Sequence, residues 1–172
     1  HDIIEGPDLA LFFVFCFGNA GKLVMAQSYQ QSMQQWYLQR EKSLKAENGW
    51  LNLVGLHWLE EGMNSFGSDS TMSIVFPQKM AARAGSFERK DGKVWLHSTV
   101  PVRIGDREVG DTLVYHPDSV SNPFMQYGDL KWNIIRRENK IGIRLRDLRS
   151  RAVTEFPGLE RFPLDRRFLV EA

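Results

Sequence analysis

The sequence predicts a mainly β protein, an antiparallel sandwich or barrel-like core preceded by one amphipathic α-helix. Three observations carry this. Beyond Gly49 short apolar runs recur between turn residues, and several of the connections have hairpin chemistry. The run from Gly49 to Leu59 holds two Trp, four Leu and two Gly with no charge before Glu60, and then turns into Gly67-Ser68-Asp69. Such a run reads as the opening of a buried sheet, with glycines where the backbone bends or is closely approached.

Taken in order, Leu9 to Phe17 is an unbroken apolar stretch. It is far shorter than the ~20 residues that span a bilayer, so no transmembrane anchor is expected. It suits the h-region of a secretory signal peptide, with Ala26-Gln27 as the cleavage point, although Asp2, Glu5 and Asp8 stand where basic residues are usual. Residues 1–26 are therefore expected to be a cleaved leader, and the protein periplasmic or secreted. An apolar N-terminal helix is the alternative. Ser28 to Glu47 has the helical period: Tyr29, Met33, Trp36, Tyr37 and Leu44 share one face, Ser28 and Gln31 form a capping box, and Asn48-Gly49 supplies a left-handed stop.

Strands are expected at Trp50–Val54, Leu56–Glu60, Asn64–Gly67, Ser73–Phe76, Gly85–Arg89, Lys93–Ser98, Val102–Ile104, Arg107–Val109, Thr112–Tyr115, Phe124–Tyr127, Leu130–Arg137 and Ile141–Arg146. Asp91-Gly92, Gly105-Asp106 and Glu138-Asn139-Lys140 join three of the pairs as hairpins. In the last strand Ile141, Ile143 and Leu145 share one face, and Arg144 and Arg146 the other. Trp50, Trp58, Phe66 and Trp95 are the expected core anchors. The β-rich domain and its helix occupy residues 28–172.

Composition bounds the function. With 42% hydrophobic residues, 12% aromatic residues and a net charge of +1, the 172-residue chain is globular and does not steer nucleic acid or anionic lipid as a whole. Between Lys131 and Arg167, however, nine Arg and two Lys face five acids. The tail offers few aromatics interleaved with those charges, so no nucleic-acid partner is expected. One cysteine, Cys16, excludes an internal disulfide and a thiolate metal cluster. His57, His97 and His116 have no metal-ligand spacing, so no metal is expected. With neither a Gly-x-Ser-x-Gly elbow nor a P-loop, neither a nucleophile-elbow hydrolase nor a cofactor is expected.

The run Trp50-Leu51-x-Leu53-x-Gly55-Leu56-x-Trp58-Leu59-x-x-Gly62-x-Asn64-x-Phe66-Gly67-Ser68, then Gly142-Ile143-Arg144-Leu145-x-Asp147 and Phe156-x-Gly158-Leu159-x-x-Phe162-Pro163-x-Asp165, resembles the bacterial and archaeal domain-of-unknown-function family 1684 over about Gln35 to Ala172. That family is longer. The resemblance implies that this chain is its N-terminal half, with the missing C-terminal half as one partner. A more distant likeness is to forkhead-associated (FHA) β-sandwiches, through Phe66-Gly67-Ser68-Asp69, Ile74-Val75-Phe76-Pro77 and Asp91-Gly92-x-Val94-Trp95-Leu96. The likeness implies a sandwich but not the phosphothreonine site, because Ser68 replaces the arginine and Ala81 to Gly85 lacks the Ser-x-x-His loop.

Three functions stay open at this point. The first is an exported binding or scaffold module for a small molecule or protein. The second is part of an enzyme whose site needs the absent half, with Asn64, Arg144 and Asp147 as its polar groups. The third is a degenerate FHA-like interaction domain. Arg144 is expected to pair with Asp147 or to share a cleft with it; alternatively, the arginines are the solvated face of an edge strand.

Overall fold

The computed structural model describes residues 29–161, which form two compact units, one of residues 29–44 with 157–161 and one of Lys45–Phe156. The expected leader, the Ser28 cap and the Phe162 and Asp165 motif positions lie outside the described residues. Helix α1 covers residues 29–45. Tyr29, Met33, Tyr37, Glu41 and Leu44 form its half-buried stripe, while Trp36, expected on that stripe, is exposed. Within the smaller unit Glu41 Oε1 accepts from the Leu159 amide at 3.2 Å and pairs with Arg161, which lies over the Tyr37 ring.

The helix does not end as expected. Neither Asn48 nor Gly49 takes a positive φ. Instead Asn52, buried past the helix end, donates through Nδ2 to the carbonyls of Ala46 and Glu47, each at 2.8 Å. A side chain six residues downstream satisfies carbonyls that the sequence alone assigns to a local turn.

The larger unit is one sheet of nine strands: β1 Leu53–Trp58, β2 Gly62–Gly67, β3 Ile74–Val75, β4 Gly85–Lys90, β5 Lys93–Ile104, β6 Arg107–Tyr115, β7 Met125–Tyr127, β8 Leu130–Arg137 and β9 Lys140–Asp147, followed by the short helix α2, Arg151–Thr154, capped by Ser150. The order is β1-β9-β8-β7-β5-β4-β2-β3, with β6 paired only to β5; the sheet wraps towards a barrel, and β1, β3 and β6 each have one open side. Only β2 and β3 run parallel. The mainly β class therefore holds.

All three predicted hairpins form. Asp91 and Gly92 both take positive φ, 51° and 74°, as a primed turn requires. Gly105 joins β5 to β6 at φ 59°, and Glu138 joins β8 to β9 at φ 53°.

The strand boundaries are corrected in three places. In place of Trp50–Val54 and Leu56–Glu60 there is one strand, β1, over Leu53–Trp58, in which Gly55 follows a bulge and is no break, while residues 50–52 form a turn. Val102–Ile104 continues Lys93–Ser98 as the long β5, and Arg107–Val109 continues into Thr112–Tyr115 as β6. The segments that look separate in sequence are the two halves of a bent hairpin, irregular between His97 and Val102.

The core is aromatic at its centre. Phe66 packs on Phe76, Phe87 and Trp132 with ring centroids 4.7 to 6.4 Å apart, and Phe76 meets Trp132 edge-on at 5.2 Å. Ile141, Ile143 and Leu145 of β9 join them, on the face predicted for them. Of the expected anchors only Phe66 is buried. Trp50, Trp58 and Trp95 are 73%, 37% and 39% exposed, and the tryptophan that fills the core is Trp132.

Candidate interaction surface

The three residues expected to form a site are not brought together. Asn64 is buried at the start of β2, where Oδ1 accepts from the Glu60 amide and Nδ2 donates to the carbonyls of Glu60, Gly62 and Phe87. Its polar atoms hold the turn between β1 and β2. Asp147 ends β9, accepting from Lys79 Nζ at 2.7 Å and from the Arg149 amide at 3.0 Å. With Asp129, which lies 4.0 Å from Lys79 and 3.5 Å from Arg149, it ties three loops together. Arg144 does not pair with Asp147, because an odd spacing along an extended strand places them on opposite faces.

Arg144 belongs instead to a patterned surface, the outer face of β1, β9 and β8. The register aligns Trp58, Gly142 and Ile135 in one row and Leu56, Arg144 and Asn133 in the next, with Arg146 and Lys131 beyond and Lys140 opposite Arg137 at the hairpin end. Val54, Leu56 and Trp58 all project outward and are substantially exposed. Trp58 lies against Gly142, where a Cβ would stand 2.8 Å from its ring, and Lys140 Nζ sits 5.8 Å from the ring centre. An apolar column on β1 thus runs beside a basic column on β9.

The arginines are not the solvated face of an edge strand, since β9 is an interior strand paired on both sides. Arg146 is only 5% exposed, and its Nη1 donates to Gly49 O at 2.7 Å and to Asn52 Oδ1 at 2.9 Å. Burial, and then the charge of Arg144, pull its pKa below the usual arginine value. Among the described residues its Nε and the Oδ1 of neighbouring Asn133 are buried without hydrogen-bond partners. Among the described residues neither Arg144 nor Arg146 has a carboxylate within ion-pair reach. Lys131 differs, being tied to Glu47 at 2.6 Å over the Phe124 ring. The basic column is thus an uncompensated charge beside exposed apolar side chains. In sequence it shows only as arginines alternating with Ile and Leu.

A second outer face, on β2, β4, β5 and β6, aligns Met63, Glu88, Trp95 and Leu113 in one row and Ser65, Ser86, His97 and Asp111 in the next. His97 Nδ1 lies 2.8 Å from Asp111 Oδ1 and Nε2 lies 3.5 Å from Glu88 Oε2. Its pKa is raised, mainly by the Asp111 hydrogen bond and less by Glu88. The sign follows: this contribution is full below the unfolded value near 6.5 and is lost as pH rises through the raised folded value. His57, whose pKa burial lowers, acts oppositely, with stability present above ~6.5 and lost below it. It is common to parent and variant. His97→Gln is therefore expected to lower the melting temperature relative to the parent more at about pH 5.5 than at about pH 8.5, as thermal melts at the two values will show.

Four clefts in the larger unit have volumes of about 150, 200, 250 and 340 Å³. Three fall below the ~300 Å³ at which small-molecule pockets begin, and none is lined by Asn64, Arg144 or Asp147. Among the described residues no His, Cys, Asp or Glu group could hold a metal ion, and no helix is long and apolar enough to cross a membrane.

No family model matches the chain, so its resemblance to the domain-of-unknown-function family 1684 has no support there, and no curated protein matches it either. Solved structures of FHA domains are distantly similar. One, from an analysis of phosphothreonine-dependent FHA domain interactions, is 14% identical with a TM-score of 0.35, covering 53% of this chain and 92% of that one. Another, the FhaA FHA domain complexed with an intracellular domain of a second protein, is 15% identical with a TM-score of 0.30, covering 53% of this chain and 97% of that one. At those values no ligand or partner of this chain follows from the likeness.

Proposed function

We propose that this protein is an exported interaction module that engages a protein partner through the outer face of β1, β9 and β8. The observation that carries this reading is the juxtaposition on one face of Val54, Leu56 and Trp58, exposed in a row, with Arg144, which has no acid partner among the described residues. Contiguous apolar side chains left in water beside unpaired charge mark interaction surfaces, because their desolvation favours association and the charge selects the partner. Export rests on the Leu9 to Phe17 run and the Ala26-Gln27 junction.

The reading is tested with a photo-crosslinking side chain at position 56 and, as a control, at position 93, in protein produced by its own host. A discrete adduct from position 56 alone is expected. Adducts of equal yield from both positions, or none from 56, would contradict it.

A further inference from the structure

We propose that the occupant of this face is an acidic, extended protein segment that adds as a strand to the free edge of β1, an inference that rests on the interaction reading above. Among the described residues β1 is paired only with β9. Leu59 N donates to Ile141 O at 2.9 Å, so the opposed pairs alternate from there: His57 with Ile143 is hydrogen-bonded, and Trp58 with Gly142 and Leu56 with Arg144 are not. The backbone N–H and C=O groups of Leu56 and Trp58 therefore point away from β9, along the open edge. These same two residues raise their side chains on the outer face.

An incoming strand would gain both backbone hydrogen bonds at those positions and apolar contact with the side chains beside them, the two elements of recognition by strand addition. The bulge at Val54 ends the regular edge, so only a short stretch centred on Leu56 to Trp58 is on offer.

Charge names the chemistry of that strand. It would lie two strand spacings from β9, about 9–10 Å, a gap that a glutamate and Arg144 reaching towards each other across Leu56 can span. Lys140 flanks the Trp58 end of the edge. Buried Arg146, in the row beyond Arg144, has no carboxylate partner among the described residues, and its charge favours an anion brought near. A basic segment would meet the same charges with repulsion. The edge thus selects a strand alternating acidic and apolar residues, the acids on the outer face.

The test uses the full chain and two degenerate libraries of ten-residue peptides, one alternating glutamate with apolar residues and one with lysine at each glutamate position. Amide hydrogen exchange is read at Leu56 and Trp58. The acidic library is expected to slow both amides, and the lysine library to do so at least about tenfold less, the worth of one charge-assisted hydrogen bond. Arg144→Glu should remove that preference, and Arg144→Gln serves if the reversal impairs folding.

Protection of neither amide, or equal protection by both libraries, overturns the proposal. If an adduct still forms from position 56, strand addition alone has failed and the interaction face stands. If no adduct forms either, both readings fall.

Discussion

Replacing Gly85 with alanine is expected to abolish the cooperative melting of the β-rich unit. Gly85 opens β4 at φ +141°, a conformation that side chains rarely adopt, and a Cβ there would lie 2.0 Å from the carbonyl oxygen of His97 on β5. That oxygen is main chain and cannot swing aside, so β4 and β5 would have to part where Gly85 opposes Ser98, and Phe66 on β2 would lose its neighbour. The cost belongs with the exceptional single substitutions, about 4–5 kcal/mol or more, against a total stability of about 5–15 kcal/mol. Gly105→Ala separates the causes. At φ +59° it carries the backbone strain, but nothing lies within 4 Å of its Cβ, so it should cost only about 1–2 kcal/mol. Melting curves of the two variants make the comparison.

The second large effect is expected at Trp132. It is fully buried between Phe66 and Phe76 on β8. Truncation to alanine removes a ring the core cannot refill, at ~3–5 kcal/mol, or a fall in melting temperature of about 12–20 °C for a unit of this size. Trp132→Phe should recover most of the loss. It keeps a ring in the cluster and discards an indole N–H that has no acceptor among the described residues. The same truncation at Trp50, which is exposed, should leave the melting temperature almost unchanged.

That contrast shows where the sequence was legible. Hairpins were, because Asp91-Gly92 and Gly105 impose turns through backbone conformation, whatever packs around them. The inward face of β9 was legible too, since Ile141, Ile143 and Leu145 alternate with charges. In β1 the alternation misleads. Val54, Leu56 and Trp58 outweigh Gly55 and His57 in apolar character, yet pairing with Leu145 and Ile143 of β9 turns the second set inward. Periodicity says which residues share a face; only tertiary pairing says which face meets the core.

The candidate site fared likewise. Arg144 could be singled out as one of a strip, and Asn133 faces it across the predicted hairpin, but Leu56 comes from a strand far away in sequence. Asn64 and Asp147 are polar residues consumed by the fold, which residue type alone does not reveal. Arg146 is held by Gly49 and Asn52, 97 and 94 residues away, and nothing local marks it as buried.

The central claim is that the apolar column of β1 and the basic column of β9 work as one docking face. It is tested most directly by crosslinking from position 56 in the parent and in Arg144→Glu, with melting temperature measured on both. The predicted result is an adduct in the parent that is lost on charge reversal while the melting temperature holds, because Arg144 has no partner among the described residues whose loss would unfold the sheet. An adduct of undiminished yield in Arg144→Glu would contradict the claim.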